Sequence, residues 1–105
     1  MHLMVVNFQL QGMTDAEFVR ACEGPVAELF RGVPGLISKT WLRSVETNTY
    51  GGVYVWEDRA AMVRYQESEL ARSVAANPHF VNVTVRDFGV MEVPTRMTNG
   101  MVRAA

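Results

Sequence analysis

Residues 34–58 read PGLISKTWLRSVETNTYGGVYVWED and predict two strands joined by a short loop. Pro34-Gly35 forms the turn before them, because proline cannot continue a helix and glycine accepts a positive φ. The strands are expected at Leu36–Val45 and Tyr50–Glu57, with a hairpin loop between them. Gly51-Gly52 indicates a bulge or the close approach of another backbone.

A strand and a helix precede this hairpin. Apolar and polar residues alternate over Leu3–Leu10, as in a strand with one buried face. Thr14 and Glu17 form a capping box, in which each side chain bonds a free backbone N–H at the start of a helix. The helix is expected to have one apolar face, and Gly24-Pro25 is expected to kink it or break it into two shorter helices.

A second helix and a fourth strand follow the hairpin. Asp58 is placed to cap a helix that continues to about Val74, and Asn77-Pro78 ends it. Phe80 begins the fourth strand. Its alternation shifts near Asp87, which predicts a bulge or a bend there.

The order βαββαβ is that of a ferredoxin-like α+β fold, in which a four-stranded antiparallel sheet has both helices on one face. The 105 residues have room for one domain, expected over residues 1–93. Apolar residues such as Val5 would meet water on the uncovered face of the sheet, so a homodimer through that face is predicted. Residues 94–105 are expected to be a tail, either frayed or laid over the partner as an arm.

Composition excludes several classes of function. A chain that is 49% hydrophobic and 20% charged is globular, and its net charge of −1 gives no general attraction to nucleic acid or to anionic membranes. The single cysteine, Cys22, forms no internal disulfide and no metal-ligand pattern, which predicts a cytoplasmic protein without a metal. No stretch approaches the roughly 20 apolar residues of a membrane span. Motifs for phosphoryl transfer, nicotinamide binding and zinc hydrolysis are absent from the sequence.

The central stretch resembles one family. The pattern of the YdhR-like putative monooxygenases is similar to Pro34-Gly35-Leu36, Lys39, Trp41, Gly51-Gly52-Val53-Tyr54, Trp56, Asp58 and Tyr65. The likeness covers residues 3–92, most of the chain. That family belongs to the dimeric α/β-barrel superfamily, with cofactor-independent antibiotic-biosynthesis monooxygenases, polyketide cyclases and haem-degrading enzymes.

The resemblance implies a barrel of two sheets at a dimer interface, with a pocket between sheet and helices in each subunit. It also implies oxidation of a small aromatic or polyketide-like substrate without a cofactor, and such a substrate must first become an electron-rich anion. The catalytic candidates are Lys39 to stabilise the anion, His79 as the base and Asn7 to hydrogen-bond a substrate oxygen. The candidates that would bind substrate are Trp41, Tyr54, Trp56, Tyr65 and Arg43.

Structural roles stay open for every candidate. Aromatic residues on strands also fill cores, Lys39 could extend along Trp41 to water, and Asn7 could bond neighbouring strands. Two other functions stay open beside an oxygenase. One is a cyclase or isomerase that folds a polyketide in the same pocket, and the other is a non-catalytic dimer that binds a small ligand.

Overall fold

The computed structural model describes residues 1–102 as one antiparallel sheet with helices packed on one of its faces. In chain order the elements are β1 (His2–Leu10), α1 (Asp15–Ala21), α2 (Ala27–Arg31), β2 (Leu36–Ser44), β3 (Thr49–Trp56), α3 (Arg59–Gln66), α4 (Glu69–Ala75), β4 (Phe80–Gly89) and α5 (Glu92–Met97). The strand order is β2-β3-β1-β4. This confirms the predicted ferredoxin-like α+β fold. None of the helices within residues 1–102 is long and apolar enough to cross a membrane.

The first helical unit begins at the predicted capping box. Thr14 Oγ1 accepts a hydrogen bond from the Glu17 backbone N–H at 3.1 Å, and Glu17 Oε1 accepts one from the Thr14 N–H at 3.0 Å. Between α1 and α2, residues Cys22–Val26 form a π-helical turn that contains Pro25. The predicted interruption is therefore a local widening of the helix, because proline has no backbone N–H to give to the usual pattern of hydrogen bonds.

The prediction of one continuous second helix was wrong. Asp58 caps α3 as expected, with Oδ1 accepting from the Ala61 N–H at 2.8 Å, but α3 ends at Gln66. Ser68 then caps a separate helix, α4, by accepting from the Ala71 N–H at 3.3 Å. Its hydroxyl also donates to the Tyr65 carbonyl at 2.5 Å. A serine side chain that bonds the nearby backbone competes with the helical pattern, which explains the break.

The fourth strand is irregular at a different place from the one predicted. The register of β1 against β4 shifts between Asn7 and Gln9, opposite residues 81–84, whereas Asp87 pairs regularly with Met4. Asn82 has a φ of 54°, and asparagine is one of the few residues that adopt this left-handed conformation readily. The prediction of a bulge near Asp87 was therefore wrong.

The C-terminal segment is partly regular. Residues 92–97 form helix α5, so the start of the predicted tail is helical instead of irregular. The amino group of Met1 pairs with the Glu92 carboxylate at 3.0 Å and ties the start of α5 to β1. Residues 103–105 of the predicted tail lie outside the described residues. The tail's expected role as an arm over a partner stays a prediction.

The two faces of the sheet differ in what covers them. Met4, Phe8, Tyr54 and Trp56 point to the helices and are buried, Trp56 completely. Their strand neighbours point the other way, since successive side chains alternate between faces. That uncovered face carries Leu3, Val5, Asn7, Val53, Val55 and Phe88. We call it the open face.

Candidate functional site

A cavity of about 210 Å³ lies between the sheet and the helices. Lys39 and Trp41 of β2 and Tyr54 of β3 contribute to its sheet side, and α1, α2 and α4 contribute to its helix side. Its volume is just below the ~300–1,000 Å³ typical of ligand sites, which suits a compact aromatic molecule. The other lining residues include Val6, Phe8, Met13, Phe18, Cys22, Val26, Leu29, Phe30, Leu70, Val74 and Phe80. Ser73 and Asn77 are polar residues of the wall, which is otherwise mostly apolar.

Among residues 1–102, Lys39 is the one cationic side chain of this wall, and it is also the only lysine in the sequence. Its Nζ lies 3.4 Å from the ring centroid of Phe30, 3.5 Å from that of Trp41 and 4.6 Å from that of Tyr54. Within residues 1–102 it forms no ion pair with a carboxylate. A buried lysine is normally paired with a carboxylate, whereas the Lys39 ammonium contacts the faces of aromatic rings.

These surroundings change the acidity of the amine. Burial lowers the pKa of Lys39 to about 7, from its ordinary 10.5, because the ammonium loses its water and gains no carboxylate. The aromatic faces attract the ammonium and oppose this effect in part, at up to about 2 kcal/mol for a desolvated pair. About half of the molecules therefore hold a neutral amine in the cavity at pH 7.

The glycine pair of β3 makes room for this lysine. Gly52 lies opposite Trp41 in the register, and a Cβ on it would lie 3.0 Å from Lys39 Cε and 3.2 Å from the Thr40 carbonyl oxygen. The hydrocarbon part of Lys39 thus occupies the space that a larger residue at position 52 would fill. The predicted close approach of backbones is found at Gly51, where a Cβ would lie 1.8 Å from the Val6 carbonyl oxygen.

The aromatic candidates fall into two layers. Tyr54 and Trp41 line the cavity, and Trp41 remains 36% exposed near its edge. Trp56 and Tyr65 do not line it, because they are buried behind Tyr54. Trp56 stacks on Tyr54 with ring centroids 6.0 Å apart, and Tyr65 lies 5.2 Å from Trp56. Burial and the Tyr65 hydroxyl raise the pKa of Tyr54 well above its usual range, so Tyr54 stays protonated and keeps an O–H that can donate a hydrogen bond.

Arg43 has a structural partner outside the cavity. Its Nε donates to Asp15 Oδ1 at 2.9 Å and its Nη2 to Oδ2 at 2.5 Å, a two-pronged pair that joins β2 to the start of α1. The Tyr50 hydroxyl donates to the same carboxylate at 2.7 Å. The Arg43 guanidinium and the Tyr50 hydroxyl hold the pKa of Asp15 below its usual range. Arg43 thus fixes the helix that covers the cavity.

The structure does not bring His79 or Asn7 to the cavity wall. The His79 imidazole Nδ1 lies 2.8 Å from the Gln11 carbonyl oxygen, at the turn after β1. Asn7 lies between Val6 and Phe8, which both line the cavity, so its side chain points to the open face. There its Nδ2 donates to the Tyr50 carbonyl at 3.5 Å. Residues 1–102 contain no group of three or more His, Cys, Asp and Glu side chains placed to hold a metal ion.

Two residues of the site were missed by sequence reasoning. Phe30 is buried, contacts Trp41 edge to face with centroids 5.6 Å apart, and lies beneath the Lys39 ammonium. Cys22 lines the cavity from the π-helical turn, and burial raises the pKa of its thiol. Both belong to the one apolar face that the sequence predicts for the first helix. Their part in the site could have been predicted from the fold, because the apolar face of the first helix must pack on the side of the sheet that carries Lys39.

Comparisons with known proteins give one family and one fold. The family model described as "Putative mono-oxygenase ydhR" matches residues 3–101. No curated protein sequence matches the chain. Three solved structures are similar to this chain, and at their identities they show the fold alone. They are SnoaB, a cofactor-independent oxygenase from Streptomyces nogalater, in a mutant form (24% identity, TM-score 0.67, 87% of this chain and 93% of that one); the haem degrader MhuD from Mycobacterium tuberculosis, with two haems bound (19%, 0.69, 87% and 96%); and a monooxygenase from the gene ActVA-Orf6 of Streptomyces coelicolor with nanaomycin D (21%, 0.63, 99% and 92%).

Proposed function

We propose, since the chain belongs to the family described as "Putative mono-oxygenase ydhR", that it is a mono-oxygenase that works without a cofactor on a small aromatic or polyketide-like substrate. The observation that carries the proposal is that Lys39 lies on ring faces in an aromatic cavity, with no carboxylate partner among residues 1–102. Such a cavity both binds a flat phenol and supplies a group that takes its proton.

The chemistry starts from the phenolic proton. The Lys39 amine accepts it, and the resulting ammonium stabilises the phenolate. The electron-rich ring then reduces dioxygen at an activated CH₂ carbon of an anthrone-type compound. The carbon gains one oxygen atom as a carbonyl, and the other oxygen atom leaves as water with the two hydrogens of the carbon. Four electrons pass from carbon to dioxygen, so the substrate is its own reductant.

The other candidate residues have supporting roles in this proposal. Trp41 and Tyr54 stack on the substrate, with ring contacts worth about 0.5–1.5 kcal/mol each beyond area burial. Trp56 and Tyr65 hold Tyr54 in place from behind, and Arg43 holds α1 over the cavity. The proposal gives His79 and Asn7 no step in the chemistry, because neither lines the cavity.

A dioxygen assay tests the function. The purified chain with dithranol, a dihydroxyanthrone, and a metal chelator is expected to consume one dioxygen per substrate, at a rate that rises with pH through about 7 as Lys39 loses its proton. Lys39→Met is expected to lower kcat/KM by about 10²-fold or more. Trp41→Leu should lower it by about 10-fold through weaker stacking.

The matched control is Arg59→Met, which removes a cation whose side chain is 68% exposed and does not line the cavity. It should leave the rate unchanged. Dioxygen uptake that is equally fast in Lys39→Met would contradict the proposal. A ring-closed product of unchanged mass, without dioxygen uptake, would show a cyclase instead.

Homodimerisation through the open face is the second part of the proposal. Val5 and Val53 are paired and half-buried on this face, and Phe88, opposite Leu3, is 52% exposed. A second copy would cover this apolar area. Exposed Met91, Val93 and Met97 around α5 are apolar and suit an arm that contacts the partner.

Light scattering on a sizing column tests the dimer. For the wild type, light scattering is expected to give a molar mass twice that of one chain. Val53→Asp is expected to elute as a monomer with an unchanged far-UV spectrum, because it would bury a carboxylate without a partner in the interface. The control Ala60→Asp, on the exposed start of α3, should remain dimeric. A wild-type chain that is monomeric at all concentrations would overturn this part.

A further inference from the structure

The environment of Lys39 suits a reaction other than proton transfer. It is the only lysine of the chain, its Nζ lies on ring faces, and within residues 1–102 no carboxylate pairs with it. We infer that the cavity captures aromatic aldehydes or ketones covalently, as an imine between Lys39 Nζ and the carbonyl carbon of the ligand. The inference rests on the proposed function only in taking the same cavity as the ligand site, and it needs no dioxygen.

The reaction is balanced without an oxidant or a reductant. The Nζ lone pair attacks the carbonyl carbon, a C–N bond forms, and the electrons of the C=O π bond move to oxygen. That oxygen takes a proton, and the nitrogen loses one, to give a neutral carbinolamine. The nitrogen then loses its second proton as the hydroxyl leaves with a proton as water, and the C=N bond forms. The products are one imine and one water.

The geometry favours the nucleophile. Only an unprotonated amine attacks a carbonyl, and desolvation in an apolar pocket is one of the ways in which proteins activate a lysine for this reaction. A carboxylate beside Nζ would hold it as an ammonium, and the described residues place none there. The pKa of about 7 leaves roughly half of the amine free at neutral pH.

The geometry also favours the product. An imine is uncharged, so it needs no counter-ion in a wall built of Phe30, Trp41 and Tyr54. A carbamate on the same nitrogen would put an anion among these rings and would be penalised by burial. The Tyr54 hydroxyl stays protonated, so it adds no charge to the same wall. The cavity of about 210 Å³ has room for a small aromatic ligand beside Trp41.

Cys22 does not compete for the same ligand. It is the one thiol of the cavity, and burial raises its pKa, so it remains the weakly nucleophilic thiol at neutral pH. The competing amine is that of Met1. It is paired with Glu92 at 3.0 Å, in a different part of the molecule.

Reductive alkylation tests the inference. The full chain is incubated with benzaldehyde and sodium cyanoborohydride at about pH 7, and the label is located by peptide mapping. The control is the double variant Lys39→Met/Arg31→Lys, which moves the single lysine to a position where the native side chain is 79% exposed. Lys39 is expected to be alkylated about 10²-fold faster than the lysine at position 31, because far more of it is unprotonated.

The outcomes separate this inference from the proposed function. Lys39 is expected to be labelled fast, and an aromatic competitor without a carbonyl group, such as phenol, is expected to slow the labelling. That result supports capture in the cavity. Labelling at Met1 alone, or Lys39 labelling no faster than that of the lysine at position 31, overturns it. Dithranol-dependent dioxygen uptake is measured on unlabelled portions of the same preparations. Labelling without uptake would leave the inference standing and remove the oxygenase, and uptake without labelling would do the reverse.

Discussion

Replacing Lys39 with methionine is expected to make the protein more stable, by about 3 kcal/mol at about pH 6, while it removes the proposed activity. A pKa that falls from 10.5 to about 7 on folding corresponds to a penalty of roughly 3–5 kcal/mol for the buried ammonium. Methionine is flexible, fills the space beside Phe30, Trp41 and Tyr54, and contacts rings favourably. Unfolding in urea at several pH values measures the difference.

The stability difference between the wild type and Lys39→Met should depend on pH. Below about pH 7, Lys39 is protonated in both the folded and the unfolded chain, so the full penalty is present. Between about pH 7 and 10, the unfolded chain binds a proton that the folded chain has lost, so the free energy of unfolding of the wild type rises with pH. The methionine variant lacks this rise. Its advantage over the wild type should therefore shrink as the pH increases.

Three other buried groups in or behind the cavity wall change the stability in the opposite direction as the pH rises. Burial raises the pKa of the Cys22 thiol and of the Tyr54 and Tyr65 hydroxyls, so their ionisation at high pH lowers stability. Measurements between about pH 6 and 8.5, with Cys22→Ser in both chains, keep these groups neutral. A Lys39→Met chain that is less stable than the wild type at about pH 6 would show that the ammonium is well accommodated.

Substituting alanine for Gly51 is expected to destabilise the protein by more than about 4 kcal/mol, or to prevent its folding altogether. Gly51 has a φ of 147°, a conformation that side-chain-bearing residues rarely adopt. A Cβ on it would lie 1.8 Å from the Val6 carbonyl oxygen and 2.8 Å from the Val6 carbonyl carbon. These atoms are backbone of the paired central strand β1, so no side chain can move aside.

Gly24→Ala is the matched control for this effect. Nothing lies within 4 Å of a Cβ at Gly24, which sits in the π-helical turn. The free energy of unfolding of the Gly24→Ala variant should differ from that of the wild type by no more than about 1 kcal/mol. Far-UV circular dichroism and urea unfolding compare the two variants. A soluble Gly51→Ala chain with nearly wild-type stability would mean that β1 and β3 do not approach as closely as described.

Local patterns predicted the elements well because local physics decides them. The Thr14 capping box and the Asp58 cap form within four residues, and the alternation of Leu3–Leu10 needs only one buried face. The break between α3 and α4 and the irregularity at Asn82 were not predicted. Both depend on a single polar side chain whose choice of conformation is decided by packing around it.

The candidate site was predictable only in part, and for a similar reason. Lys39, Trp41 and Arg43 alternate along β2 and pair with Tyr54, Gly52 and Tyr50. Strand parity therefore brings Lys39, Trp41 and Tyr54 to one wall. The alternation of side chains along a strand does not show where the cavity ends. It therefore could not show that Trp56 and Arg43 lie outside the cavity wall. His79 and Asn7 were chosen by residue type, and the contribution of Phe30 and Cys22 required knowing how the helix packs on the sheet.

The acidity of Lys39 is the property on which the activity, the imine and the stability all depend. Because the chain has a single lysine, labelling lysine with ¹³C and ¹⁵N gives one set of side-chain NMR signals, and their titration reports the pKa of that amine alone. The account predicts a pKa near 7 in the folded protein and an ordinary pKa of about 10.4 after unfolding in urea. A pKa near 10 in the folded protein would contradict it.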